Sequence, residues 1–304
     1  MLNVPRLKQW PFWARLCPAS FSPLKNLSVI TAHFHDFRWT EMLLRQLRAT
    51  TPADSLKEIL IIDQDRTAES SARLTALDAG VRVVQYPRDE RFFGVLGHDH
   101  PAVLNQAIRE AQGGWICLFD SDAHPIKAGW LAACEAILQD HDAIVAEDPL
   151  RPGLAHPCFM LFQRKHTSLP LRFEEGLLAE RSTSGKVAER YDTGRMIRRQ
   201  LTQAGQRVHL APPRRAFDGH WGDLYLEGIY HHGSGSFKGG NELLTRHLTW
   251  EHEFFEQWVL NRGEYELRGT ARGVYQFKST AWDLRNKAVT LLQRCRNTFQ
   301  SQKV

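Results

Sequence analysis

The amino-acid sequence predicts an α/β fold built on a mostly parallel central sheet flanked by helices, with further helices toward the C-terminus. Three observations carry that expectation. Between residues 27 and 150, runs rich in Val, Ile and Leu alternate with segments of helical period ten to fourteen residues long, the pattern of a parallel sheet covered on both faces. Acidic residues stand where those runs end, at Asp63 and Asp120, and open sheets of this kind bind ligands at the carboxyl ends of their strands. The composition of the 304 residues, 42% hydrophobic and 24% charged, is that of a globular chain long enough to bury a substantial core.

The elements follow in order. Residues 1–26 read as an arm, with four prolines and no sustained period. LSVITAHF (27–34) is a buried-strand run, and residues 38–49 place apolar side chains at helical spacing. EILIID (58–63) predicts a second strand, 67–78 a second helix and VRVVQY (81–86) a third strand. The helix of 102–112 stops at Gly113-Gly114, WICLFD (115–120) is a fourth strand, 126–139 is helical and DAIVAED (142–148) strand-like. Beyond residue 150 the pattern loosens: CFMLFQ (158–163) predicts a strand, 164–190 a polar loop, 191–205 a helix closed by Gly205, and RVHLAP (207–212) a short strand. Residues 241–262 and 274–299 read as helices. The expected organisation is an arm (1–26), one continuous domain (27–240) and a basic helical extension (241–304), with no internal repeat.

Charge and cysteine usage narrow the classes. Arg6, Lys8, Arg15 and Lys25 face no acid within residues 1–26, and residues 262–304 carry nine Lys/Arg against Glu264, Glu266 and Asp283. Basic ends with Trp10, Phe12, Trp13 and Trp282 suit peripheral contact with an anionic membrane surface; a solvated basic face is the plainer alternative. No run reaches the roughly 18 apolar residues of a spanning helix, and the N-terminus lacks the apolar core of a secretory signal. Five scattered cysteines, odd in number and without zinc spacing, read as reduced thiols. A cytoplasmic protein is expected, with peripheral contact at the inner membrane face as a further reading. The basic residues carry no nucleic-acid-binding signature.

Two features carry chemistry. Asp120-Ser121-Asp122, directly after a buried strand, places carboxylates at the ligand crevice. Hard cations such as Mn²⁺ or Mg²⁺ take oxygen ligands, commonly one or two carboxylates plus phosphate; two Asp capping the turn before Pro125 is the structural alternative. In His231-His232-Gly233-Ser234-Gly235-Ser236 an imidazole would complete such a site, His232 being slightly preferred to His231, and the Gly/Ser backbone would approach a diphosphate. His98-Asp99-His100 reads as a loop beside the ligand site rather than a metal triad, Arg198-Arg199 as a solvated face, and Trp221 and Tyr225 near Asp218 as buried aromatics more than sugar-stacking ones.

At this point the chain resembles GT-A glycosyltransferases of the large family 2. The matching segments are LSVITAHFH, EILIIDQDRTAES, PAVLNQAIREAQGG and WICLFDSDAHP followed by Gly129-Trp130, with YDTG (191–194) and HHGSGS (231–236) matching more loosely. The resemblance implies the GT-A (nucleotide-diphospho-sugar transferase) fold, with residues 27–150 as the donor-binding half and 151–240 as the acceptor half. It implies transfer of a sugar from a nucleoside-diphosphate donor to a hydroxyl of a glycan or lipid-linked acceptor, with inversion, in surface polysaccharide or glycoconjugate synthesis. By the same resemblance Thr31 and Ala32 pass the base and ribose, Asp63 bonds the base with Asp65 nearby, and Asn105, Asp120 and Ser121 border the donor. Asp122 ligates the metal, with Asp120 and His232, and Asp192 is the base that deprotonates the acceptor, with Glu189 and Glu180 as substitutes. As residues, the alternative for Asp63 is a turn or capping residue and for Asp192 a helix cap. The chain departs from the family where Leu104-Asn105 replaces an Arg-Asn pair and where DQDRTAES replaces adjacent acids followed by Gly-Ser. Two alternatives are a non-catalytic nucleotide-binding scaffold and a sugar nucleotidyltransferase; the latter requires a Gly-rich phosphate loop where this chain reads AHFHDFRW.

Overall fold

The computed structural model describes residues 24–65, 67–86, 100–165, 171–173, 193–216, 221–233 and 250–301. The chain divides into two compact units, Met1–Arg214 with Asp223–Asn241, and Arg215–Gly222 with Glu242–Val304.

The first unit is an α/β layer structure around a seven-stranded sheet. Strands β1 (Leu27–His33), β2 (Leu56–Asp63), β3 (Val81–Gln85) and β4 (Trp115–Asp120) alternate with helices α1 (Phe37–Thr50), α2 (Ala68–Leu77) and α3 (His100–Glu110). After the short β5 (Ala123–Pro125) come α4 (Trp130–Leu138), β6 (Ala143–Glu147), β7 (Ala155–Gln163), α5 (Ile197–Gln203) and β8 (Val208–Ala211). The sheet order is β3-β2-β1-β4-β7-β6-β8. β3, β2, β1 and β4 are mutually parallel, as are β6 and β8, while β7 runs antiparallel to both β4 and β6. The expected α/β class with a mostly parallel, helix-flanked sheet is the one observed.

Burial explains the runs read from the sequence. Leu27, Val29 and Ile30 of β1, Ile59–Ile62 of β2 and Ile116–Phe119 of β4 are buried, alternate residues entering the helical layers above and below. Fully burying one such side chain stabilises the fold by about 1.5–3 kcal/mol. Helix α1 turns Trp39, Met42, Leu43 and Leu47 inward, and it starts where Asp36 Oδ1 accepts hydrogen bonds from Arg38 N (3.1 Å) and Trp39 N (3.4 Å).

Three local readings change. The helix expected from residue 126 begins at Trp130, because Gly129 (φ +87°) turns the chain left-handed just before it. Within the described part of 191–205, residues 193–196 are turns and only Ile197–Gln203 is helical. A second sheet, not expected, joins β5 to β9 (Arg214–Arg215), β10 (Asp223–Tyr225) and β11 (Ile229–His231) in the order β5-β11-β10-β9. Its strands of two or three residues fall below the length at which alternation is readable.

In the second unit, α6 (Trp250–Arg262) and α7 (Gly269–Ser301) meet through aromatic side chains. Tyr275 of α7 is buried against Trp250, Phe254 and Phe255 at ring separations of 5.3, 5.6 and 5.0 Å, and its hydroxyl donates to Glu251 Oε1 at 3.0 Å. Among the described residues no helix is long and apolar enough to cross a membrane.

Candidate functional site

The strand order sets the location. From β1 the chain steps outward to β2 and β3, then returns to lay β4 on the other side of β1. The β1–β4 boundary is therefore the topological switch point, where an open sheet parts its loops and receives a ligand. Register brings chemistry to this crevice: Ala32 is opposite Asp120 and His33 opposite Asp63.

Asp120 ends β4, and Ser121-Asp122 turn the chain into β5. Antiparallel pairing sets His231 opposite Ala123, and His232 N donates to the Asp122 carbonyl at 3.0 Å. These bonds carry the end of β11 onto the acidic turn. His231 Nε2 then lies 3.7 Å from Asp122 Oδ1 and 3.9 Å from Asp120 Oδ2, and one ligand atom from each of the three residues falls within 4.8 Å of the others. His100 Nε2 approaches Asp120 Oδ1 to 3.9 Å. Asp122 and His231 are buried, while Asp120 keeps a fifth of its side chain exposed.

The sequence preferred His232 to His231, but side chains alternate along a strand, and the structure places His231 beside the carboxylates. His232 turns away from the carboxylates: its Nδ1 is 2.7 Å from the Tyr230 hydroxyl, and its ring lies 4.6 Å from that of buried Trp39. Burial pushes the His231 imidazole down to about 4, so it is neutral at physiological pH, the form that ligates a metal. Two carboxylates and a neutral imidazole are an oxygen-rich donor set with one nitrogen, which suits Mn²⁺ or Mg²⁺.

The remaining candidates have distinct surroundings. Thr31 is buried at the end of β1 beside half-buried Ala32, and its Oγ1 meets no hydrogen-bond partner among the described residues. Asp63 is fully buried and both its oxygens are engaged: Oδ1 accepts from Asp65 N and Ser70 Oγ, each at 3.0 Å, and Oδ2 from Ser71 Oγ at 2.7 Å. It braces the turn into α2, the structural role its residue type allowed, while Thr67 caps that helix through Ser70 N. Asp65 faces the crevice side of the same turn, 2.7 Å from His35 Nδ1 and 3.6 Å from His33 Nε2. Asn105 Oδ1 accepts from Phe173 N at 3.4 Å, tying α3 to the 171–173 segment. Ser121 is buried within the acidic turn.

Asp192, like Glu189, Glu180, His98, Asp99 and Asp218, lies outside the described residues, as do Ser234–Ser236. The residues directly after Asp192 are firmly held. Thr193 is buried, Gly194 N donates to Phe173 O at 3.0 Å, and buried Arg195 pairs with buried Asp148 at 3.1 Å. Gly194 has φ +75°, and a Cβ there would sit 3.1 Å from the Phe173 ring. Of the aromatics, Tyr225 is buried with its hydroxyl donating to Glu147 O at 3.1 Å, and Trp221 packs 4.7 Å from His252. Cys117, Cys134 and Cys158 are buried free thiols. Sequence reasoning placed His100 only in a loop beside the ligand site and passed over His33; both stand beside a strand end.

No known family profile matches the chain, and no curated protein matches it in sequence. Solved structures resemble it at low identity. A mannosyltransferase from Pyrobaculum calidifontis in complex with GDP-Man and Mn²⁺ is 17% identical with a TM-score of 0.45, the match covering 66% of this chain and 59% of that one. Residues 1–349 of S. aureus TarS in complex with UDP-GlcNAc are 16% identical (TM-score 0.36; 49% of this chain, 48% of that one). GalNAc-T7 with UDP, GalNAc and Mn²⁺ is 14% identical (TM-score 0.45; 61% and 42%). The chain spans less than two thirds of the length of each. At such identities and scores neither ligand nor activity transfers.

Proposed function

We propose that this protein is a metal-dependent GT-A glycosyltransferase, which moves a sugar from a nucleoside-diphosphate donor to a hydroxyl of a glycan or lipid-linked acceptor with inversion at the anomeric carbon. The observation that carries the reading is the convergence of Asp120, Asp122 and His231 at the carboxyl end of β4, beside the switch point of the sheet. A crevice there admits a nucleotide, and the donor set suits a divalent cation bound to phosphate oxygens.

Asp122, Asp120 and His231 would hold the ion, which when bound supplies positive charge to offset that gathering on a departing diphosphate. The protein's own residues do the rest. Thr31 and Ala32 form the floor on which base and ribose lie, with Asp65 and Asn105 at its margins. Burial of Asp122 and His231 keeps water from competing for the carboxylate and the imidazole. Asp192 takes the proton from the acceptor hydroxyl as its oxygen attacks the anomeric carbon opposite the leaving group. Family 2 membership, a role in surface polysaccharide or glycoconjugate synthesis and a cytoplasmic location belong to the same reading.

The test is calorimetric titration of the purified protein with UDP, GDP, dTDP and CDP, with Mn²⁺ and then with chelator, beside Asp122→Ala. Tight binding of one nucleotide, lost with chelator and in the variant, supports the donor site and names the donor class. Binding of none, with the protein folded, overturns it.

A further inference from the structure

Helix α7 (Gly269–Ser301) presents an apolar stripe that is exposed among the described residues. Phe277, Leu284 and Leu291 are 76%, 63% and 63% exposed, and their seven-residue spacing lines them along one side of the helix. Val274 (44% exposed) and Leu292 (69%) border the same side, and exposed Ala281 and Ala288 fill the gaps between the larger groups. The stripe is roughly 100° wide. It faces away from Tyr275, the residue through which α7 packs on α6. Exposure on this scale is therefore not the inner face of that helix pair.

Charge identifies the occupant. Lys278 and Arg285 stand along one margin of the stripe and Lys287 along the other, and within Gly269–Ser301 the sequence has six Lys/Arg against the single acid Asp283. Two copies of α7 joined along the stripe would bring margins of like charge together, a destabilising arrangement in paired helices. An apolar face edged by cations is instead complementary to a surface with anionic headgroups above acyl chains. Long basic side chains there extend their stems over apolar surface and keep their charges at headgroup level.

We propose that α7 is a membrane-surface helix, which lays Phe277, Leu284 and Leu291 into the interface of an anionic bilayer with Lys278, Arg285 and Lys287 at its headgroups. The basic ends of the sequence pointed to an anionic surface; the structure supplies the helix and the face. A single such helix binds reversibly and with marked sensitivity to salt. The proposal is independent of the donor site.

Sedimentation of the full chain with vesicles tests it, using phosphatidylcholine alone and phosphatidylcholine containing phosphatidylserine. The wild-type protein is expected to bind the anionic vesicles at least about tenfold more tightly than the neutral ones, since each cation near the surface is worth about fivefold. Phe277→Glu with Leu284→Glu should weaken that binding by at least about tenfold. Lys278→Ala with Lys287→Ala, which leaves the stripe intact, should weaken it by a similar factor and flatten its salt dependence. Circular dichroism checks that helix content persists in both variants. Equal binding to both vesicle types, or unchanged binding by either double variant, would overturn the proposal. So would a wild-type dimer in sedimentation velocity that Phe277→Glu with Leu284→Glu converts to monomer, because a second copy would then be the occupant. Nucleotide titration of the same variants reads the donor site separately: loss of vesicle binding with nucleotide binding intact separates the two.

Discussion

His231 Nε2 lies 3.7 Å from Asp122 Oδ1, and the two are held in register by the bond from His232 N to the Asp122 carbonyl. Backbone pairing between β5 and β11 thus sets the imidazole beside the carboxylate. Alternation then sends the next histidine to the opposite face.

That relationship separates the two histidines experimentally. His231→Ala should weaken Mn²⁺-dependent nucleotide binding by about 10- to 100-fold, since it removes one of the three side chains of the proposed metal site. His232→Ala should leave that binding within a few-fold and lower stability by about 1–2 kcal/mol, through loss of its bond to Tyr230 and its contact with Trp39. Calorimetry and urea unfolding of the two variants check this; a reversed pattern would favour His232 as the metal ligand.

Asp192→Asn tests the assignment of the base. Donor binding should stay unchanged while sugar transfer falls by about 10²–10⁴. Transfer at the wild-type rate would pass the role to Glu189 or Glu180.

Glu58 gives a pH dependence remote from the site. Burial alone would raise its pKa, but bonds from Ser28 Oγ (2.5 Å), Gln112 N (2.6 Å) and Arg82 Nε (2.8 Å) outweigh burial and hold it below the ordinary value of 4.5. A carboxyl depressed in the folded state contributes stability in full above its unfolded pKa. As pH falls through that value the unfolded chain takes up the proton first, and the contribution is lost by the time pH passes the folded pKa. Urea midpoints measured from neutral pH down to about pH 3 should fall more steeply for wild type than for Glu58→Gln, which should be less stable by about 1–2 kcal/mol at neutral pH.

Gly113→Ala should destabilise by about 3 kcal/mol. A Cβ at this position would lie 2.5 Å from Ser28 N and 2.6 Å from Asn26 O. Both are backbone atoms at the start of β1 and cannot move aside without disturbing the sheet. Thermal or urea unfolding measures the loss, and a variant as stable as wild type would show that the strand start yields.

Much of the fold could be read because burial leaves a strong mark on sequence. β1, β2 and β4 are covered on both faces and so appear as unbroken apolar runs, and the acidic pair follows the last of them. The direction of β7 left no such mark: CFMLFQ is equally apolar whichever way it runs. The small second sheet was invisible because its strands are too short to alternate and pair across distant parts of the chain. The choice between His231 and His232 depended on the register of that sheet, so local pattern could not decide it. Gly113 read as a helix stop, yet α3 already ends at Glu110 and the glycine is required by the close approach of β1. Asp63, read as a ligand contact or a turn residue, has both oxygens bonded within its turn.

The pairing of β5 with β11 also orders events during synthesis. Asp120 and Asp122 emerge from the ribosome long before His231. In the proposed site the third ligand, His231, arrives only when β11 docks beside β5. On that proposal a nascent chain offers the acidic turn without its imidazole, and the full donor set forms only once the polypeptide has been made at least as far as residue 231.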